Sequence, residues 1–145
     1  MVWQRLDRYT DMALLIMRIG IGLMFAVVHG GPKLFDGPER WAKVGTAMQY
    51  VGIDFAPTFW GFMAACAEFF GGLLFLLGLF TRPAAVFLFI TMFVASAMHL
   101  GRGDGWGRSS HAVESMFWFL GFIFASPGKY SLDHLIAQKR RNRSN

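Results

Sequence analysis

The chain has 145 residues, of which 54% are hydrophobic and only 16% are charged, a balance typical of small polytopic membrane proteins. The formal net charge of +5 comes from basic residues that, except for Arg18, lie outside the apolar segments and mostly near the termini, which favours anionic lipid headgroups over nucleic acid as the partner. Cys66 is the only cysteine, so an intrachain disulfide and a two-cysteine thiol relay are excluded.

Four apolar segments are candidates for membrane-spanning helices, which need roughly 17–25 residues each. The segments cover residues 12–30, 57–79, 83–100 and 112–126, and the last is short unless both ends extend by a turn. Turn-forming residues mark their ends: Gly30-Gly31-Pro32, Thr81-Arg82-Pro83 and Pro127-Gly128. We therefore predict an all-α fold, a four-helix transmembrane bundle in one domain of residues 1–138, with a basic cytoplasmic tail over residues 139–145.

The loop after the first segment has a helical pattern of its own. Trp41, Val44, Met48 and Val51 recur at intervals of three or four residues, with polar residues on the other faces. This spacing predicts a short amphipathic helix at the membrane interface. Eight Lys and Arg residues lie on the side of the termini and five on the opposite side, so we expect both termini in the cytoplasm.

Glu68 is the only charged residue in the second segment. A carboxylate at bilayer depth costs about 2.5–3.5 kcal/mol on insertion scales and rarely faces lipid. Its helical face carries small residues that allow close helix packing, namely Gly61, Ala64, Ala65, Gly71 and Gly72. This pattern predicts that Glu68 lies inside the bundle, where we expect it to pair with Arg18, the charged residue of the first segment.

Other polar residues gather at the end of the bundle opposite the termini, because successive helices alternate in direction. Glu68 is expected about 15 Å below that surface, from the helical rise of 1.5 Å per residue. The sequence thus predicts an outward-opening pocket in which five residues bind a ligand or relay protons: Glu68, His29, His99, Arg18 and Lys33.

Three interpretations of this pocket stay open. In the first, the charges only hold the helices together. In the second, a quinone or a similar lipid-soluble redox molecule accepts hydrogen bonds from His29, His99 or Lys33, with its ring between aromatic side chains. In the third, His29, His99, His111 and Glu114 bind a metal ion, since imidazole and carboxylate suit zinc, copper or iron.

Several stretches of the chain form a recognisable set of motifs. They are Arg18-Ile19-Gly20, Gly22, Phe25, His29-Gly30 and Lys33, then Glu68-Phe69-Phe70-Gly71-Gly72, Leu77-Gly78-Leu79, Thr81-Arg82-Pro83-Ala84-Ala85, and Ser126-Pro127-Gly128-Lys129-Tyr130-Ser131-Leu132-Asp133. Together they resemble the signature of the DoxX family of small four-helix membrane proteins. The resemblance extends over roughly residues 12–135. It implies a membrane redox role, because members include a quinone-linked thiosulfate oxidoreductase subunit in some archaea and an oxidative-stress membrane complex in some actinobacteria.

From this resemblance we expect an integral subunit of a redox system in the cytoplasmic (inner) membrane. Its expected partners are the lipid bilayer, quinone and a membrane oxidoreductase complex, and the sequence leaves homo-oligomerisation open. Whether the chain itself catalyses a reaction is also left open. The alternatives are a scaffold membrane protein without turnover and a membrane protein that handles a small solute or a metal.

Overall fold

A computed structural model describes residues 7–144, and all regular structure in this range is helical, which confirms the predicted all-α class. Two 3-10 segments, Asp7–Tyr9 and Thr46–Val51, and a π-helical segment, Met24–Gly30, extend or join the α-helices. Within this part of the chain the α-helices are α1 (Thr10–Leu23), α2 (Gly31–Phe35), α3 (Pro38–Gly45), α4 (Pro57–Leu77), α5 (Thr81–Gly101), α6 (Trp106–Phe124) and α7 (Leu132–Ser144).

Among the described residues, three helical stretches are long and apolar enough to cross a membrane: Asp7–Phe35, Pro57–Leu77 and Thr81–Gly101. They correspond to the first three predicted segments. The fourth predicted segment corresponds to α6, which starts earlier than expected, at Trp106, and includes Arg108 and Glu114. The crossing of the membrane by α6 stays a prediction.

The predicted end of the first helix at Gly30-Gly31-Pro32 is wrong. The helical path continues through the π-helical segment into α2, which ends at Phe35. Pro32 lies in the first turn of α2 and has no N–H to donate, but the Gly31 N–H donates to the Ala26 carbonyl oxygen and keeps the two segments continuous. The continuation carries Lys33 with it, so this residue belongs to a helix and not to a loop.

Small residues make α4 the central helix. A Cβ atom on Gly72 would lie 2.6 Å from the backbone nitrogen of Ala26, and one on Gly61 would collide with the carbonyl oxygen of Trp41. A Cβ atom on Gly71 would lie 3.3 Å from a leucine side chain of α5. Close packing through small residues therefore joins α4 to the first helix, to α3 and to α5.

Aromatic rings fill the space between α4, α6 and the start of the π-helical segment. Phe119 makes edge-to-face contacts with Phe25 and Phe75, at centroid distances of 4.9 and 5.5 Å. Phe122 packs in the same way against Phe75, at 4.8 Å. These four buried rings hold α6 alongside the helices that are apolar enough to span a membrane.

The predicted loop helix consists of two pieces, α3 and the 3-10 segment Thr46–Val51. The first packs on α4, where Gly45 lies against Pro57, and the second packs on α5, where Tyr50 lies over Gly101. Together they bridge the ends of α4 and α5. The placement of this bridge at a membrane interface stays a prediction.

Residues 139–144 of the predicted basic tail continue α7, which has no buried residue, so the expected boundary at 138/139 falls inside a helix.

Candidate ligand-binding cavity

A cavity of about 810 Å³ lies between α4 and α5 beneath the bridge formed by α3 and Thr46–Val51. Along α4 its lining runs from Trp60 to Leu74, a rise of about 21 Å, and along α5 it runs from Arg102 to Pro83. Some lining side chains are also exposed on the outer surface of the helices: Met63, Phe70, Phe87 and Ile90. This space, which we call the α4–α5 cavity, is therefore long and mainly apolar, and part of its lining reaches the outer surface of the protein.

Glu68 and Lys33 form the charged pair of the α4–α5 cavity. The Nζ atom of Lys33 donates hydrogen bonds to both Glu68 carboxylate oxygens, each at 2.7 Å. The Glu68 side chain is only 1% exposed, which confirms that it lies inside the protein, whereas Lys33 is 23% exposed. The backbone oxygen of Lys33 accepts a 2.8 Å hydrogen bond from the Trp41 indole, which ties α2 to α3 and directs the lysine towards α4.

The predicted pair between Arg18 and Glu68 is wrong. Arg18 is fully buried, but its guanidinium donates to the carbonyl oxygen of Tyr130 and lies so close to Gly78 that a Cβ atom there would collide with it. Gly78 follows the last turn of α4, about 15 Å from Glu68 at the helical rise. Because α1 and α4 are antiparallel, Arg18 lies beside the end of α4 that the topology prediction assigns to the cytoplasm.

His99 lines the α4–α5 cavity, as the sequence predicted, but far from the charged pair. The contact of Gly71 with Leu88 sets the register of α4 and α5 and places Glu68 near the level of Thr91. His99 is eight residues further along α5, about 12 Å nearer the predicted outer end. Its Nδ1 atom is 2.8 Å from an Asp104 carboxylate oxygen, a contact that holds the ring at the cavity mouth.

His29 does not line this cavity, so the prediction that His29 and His99 share one pocket is wrong. The His29 ring stacks on His111 of α6, with a centroid distance of 4.9 Å and an interplanar angle of 25°. The reason is that Met24–Gly30 is π-helical and has more residues per turn than an α-helix. The residues that face the protein interior in this segment are therefore not those that α-helical spacing predicts. Ala26 and Gly30 therefore face α4, and His29 points towards α6.

The predicted metal site from His29, His99, His111 and Glu114 is not assembled. Within residues 7–144, no group of three or more His, Cys, Asp or Glu side chains could hold a metal ion. Glu114 is exposed, because the buried side of α6 is formed by other residues: Ser109, Ala112, Ser115, Phe119 and Phe122.

Sequence reasoning missed four residues at the mouth of the α4–α5 cavity. Arg40, Lys43 and Arg102 add positive charge there, and Trp60 contributes an aromatic wall. The Trp60 Nε1 atom is buried and has no hydrogen-bond partner among the described residues. Arg40 and Lys43 were identifiable as the polar face of the predicted loop helix, but no sequence pattern showed that this face turns towards α5.

Comparison with known proteins gives consistent matches. The sequence model of the DoxX family matches residues 13–100. The uncharacterized membrane protein Rv3486 of Mycobacterium tuberculosis is 30% identical, in a match that covers 88% of this chain and 83% of that protein. The inner membrane protein YphA of Escherichia coli is 33% identical, with 83% of this chain and 87% of YphA covered. No solved structure shows a significant match.

Proposed function

Because the chain belongs to the DoxX family of membrane proteins, we propose that it is the quinone-contacting membrane subunit of a redox system. The observation that carries this proposal is the α4–α5 cavity, whose wall is largely apolar apart from the buried Lys33–Glu68 pair and the basic residues at its mouth. Ligand pockets of about 300–1,000 Å³ with apolar walls and few polar groups are typical of small-molecule sites.

The shape of the cavity fits a molecule with a polar ring and an apolar chain. Phe70, Phe87 and Ile90 line the cavity and are exposed at its rim, and in our proposal the gap beside them between α4 and α5 is a lateral opening. A lipid-soluble ligand can enter from the membrane through such an opening, with its chain left along the rim. The Phe and Met side chains of this rim supply apolar contact for the chain.

Lys33 and Glu68 are the groups that fit a quinone ring. A lysine ammonium has three N–H donors, and Glu68 takes two of them, so the third is available to a ligand carbonyl oxygen. A quinone accepts two electrons and two protons on reduction. In our proposal the two electrons come from a partner oxidoreductase. The Lys33–Glu68 pair supplies one proton beside the ring and is reprotonated from solvent, and solvent at the cavity mouth supplies the second proton. His99, about 12 Å away along α5, contacts the chain or the cavity mouth instead.

The proposal includes a topology in the cytoplasmic membrane. α6 packs along α5, and its buried rings also contact the first helix and α4, all three of which are apolar enough to span, so we propose that it is a fourth span. Four spans place both termini on one side, and the excess of Lys and Arg favours the cytoplasm for that side. The bridge of α3 and Thr46–Val51 then lies at the outer surface.

The test is a titration of purified protein in lipid nanodiscs with a short-chain quinone, followed by quenching of tryptophan fluorescence. We expect saturable quenching that is largely lost in Trp60→Phe, because Trp60 lies in the cavity wall. Lys33→Met removes the donor for the carbonyl and should weaken binding at least tenfold. His29→Ala is the matched control, because His29 lies outside the cavity, and its binding should equal that of the parent.

Absence of saturable binding in the parent would contradict the proposal and favour a structural role, in which the pair only joins α2 to α4. Equal affinities of the parent and Lys33→Met would also contradict it. Circular dichroism and a melting curve for each variant separate lost binding from lost folding.

A further inference from the structure

One side of α6 is exposed and does not line the α4–α5 cavity, and of its residues only His111 has ring contacts within residues 7–144, with His29 and Phe25. These residues recur at intervals of four and three along the helix and are all exposed: Gly107, His111, Glu114, Trp118 and Gly121. We call this set the α6 stripe. A Cβ atom added to Gly107 or Gly121 would meet nothing within 4 Å, so the stripe is open to the close approach of another helix.

Glu114 lies at nearly the same depth as Glu68. Phe75 of α4 contacts both Phe119 and Phe122 of α6, which aligns the two helices. Along α4, Glu68 lies about 10 Å from Phe75, on the side of the predicted outer end. Along α6, Glu114 lies about 8–12 Å from Phe119 and Phe122 in the same direction. Yet Glu114 is exposed and makes no hydrogen bond or ion pair with any other residue in 7–144. In the proposed topology, in which α6 spans the membrane, a carboxylate at this depth is expected to face a partner and not lipid.

His111 offers the complementary group one turn nearer the predicted outer end. Its ring stacks face to face on His29, which fixes the ring plane and leaves the nitrogen atoms at the ring edge. His111 is itself exposed. A ring N–H donates to a carboxylate whether the imidazole is neutral or charged. Donor and acceptor thus lie on the same stripe, three residues apart.

We propose that the α6 stripe is the contact surface between two copies of this chain, related by a two-fold axis along the membrane normal. In a two-fold interface each contact occurs twice, so His111 of each protomer donates to Glu114 of the other. The open space at Gly107 and Gly121 lets the two α6 helices come close enough for these hydrogen bonds. The stripe is self-complementary, so a second copy satisfies both groups without another protein.

Two measurements on the full chain test this proposal. The first is the mass of the protein in nanodiscs and in detergent, by light scattering or native mass spectrometry. We expect a dimer for the parent and a shift of at least tenfold in the dissociation constant for Glu114→Ala. Glu39→Ala is the control, since Glu39 is an exposed carboxylate on α3.

The second measurement is oxidative cross-linking in a Cys66→Ser background. Gly121→Cys should cross-link between protomers, whereas Gly20→Cys should not. Gly20 is the matched control because it is exposed on α1 and equally has nothing within 4 Å of an added Cβ atom.

A monomeric parent at all protein-to-lipid ratios overturns the proposal, and so does equal cross-linking at positions 20 and 121. A dimer that persists in Glu114→Ala with unchanged affinity also overturns it. The melting temperature of each variant shows whether a lost dimer reflects a lost contact or a lost fold. The α6 stripe does not line the α4–α5 cavity. A negative result for the dimer therefore does not bear on the quinone proposal, which the quinone titration tests separately.

Discussion

Removal of the Lys33 ammonium should destabilise the protein strongly, because it leaves the Glu68 carboxylate buried without its partner. The perturbation is Lys33→Met, which keeps most of the apolar side chain. Breaking a buried ion pair costs about 3–5 kcal/mol. The two hydrogen bonds are short, but Lys33 is 23% exposed and solvent partly screens its charge, so we expect the lower end of that range. A loss of about 3 kcal/mol corresponds to roughly a 140-fold change in the ratio of folded to unfolded protein.

The assay is equilibrium unfolding in mixed micelles, with Lys43→Met as the control for loss of a lysine at the cavity mouth. The double variant Lys33→Met with Glu68→Leu should recover stability to within about 1 kcal/mol of the parent, because well-packed apolar residues often replace a buried pair without loss. The reasoning is refuted if Lys33→Met unfolds like the parent. It is also refuted if the double variant is less stable than the single one.

Two further predictions follow from the packing and the topology. Gly78→Ala should cost about 2–4 kcal/mol in the same assay, since a Cβ atom would meet the buried Arg18 guanidinium and Gly78 has a positive φ of 66°. Gly52 also has a positive φ, of 83°, but nothing lies near an added Cβ atom, so Gly52→Ala should lose only the backbone cost of about 1–2 kcal/mol. An equal loss of stability in Gly78→Ala and Gly52→Ala would contradict the predicted clash with Arg18. In a Cys66→Ser background, a membrane-impermeant thiol reagent should label Gln49→Cys from outside intact cells and Asn142→Cys only after lysis. Labelling of both from one side would contradict the proposed topology.

Much of the fold was predictable from the sequence, because the spans depend on local composition. The apolar runs and the stripe of small residues around Glu68 located α4 and identified it as a helix that packs closely with its neighbours. The depth of Arg18 was not predictable, because the sequence does not give the register between α1 and α4. That register depends on where Gly22 and Gly72 allow the two backbones to meet.

The candidate site was only partly predictable for a related reason. Glu68, Lys33 and His99 were identified from the sequence, and all three line the α4–α5 cavity. His29 was misplaced because an ideal α-helical spacing was assumed where Met24–Gly30 is π-helical. The partner of Glu68 was missed because Gly31-Pro32 suggested a helix end, whereas the helix continues and brings Lys33 to the carboxylate.

The central claim, that the α4–α5 cavity holds a quinone, is tested most directly by covalent capture. A photoreactive quinone analogue would be activated on the protein in nanodiscs, and its attachment sites mapped by peptide mass spectrometry. We predict attachment to cavity residues on α4 and α5, with Met63, Phe70, Phe87 and Ile90 as the accessible sites, and loss of this labelling when unlabelled quinone is added. Labelling confined to the outer surfaces of α1 and α6, or labelling that unlabelled quinone does not reduce, would contradict the claim.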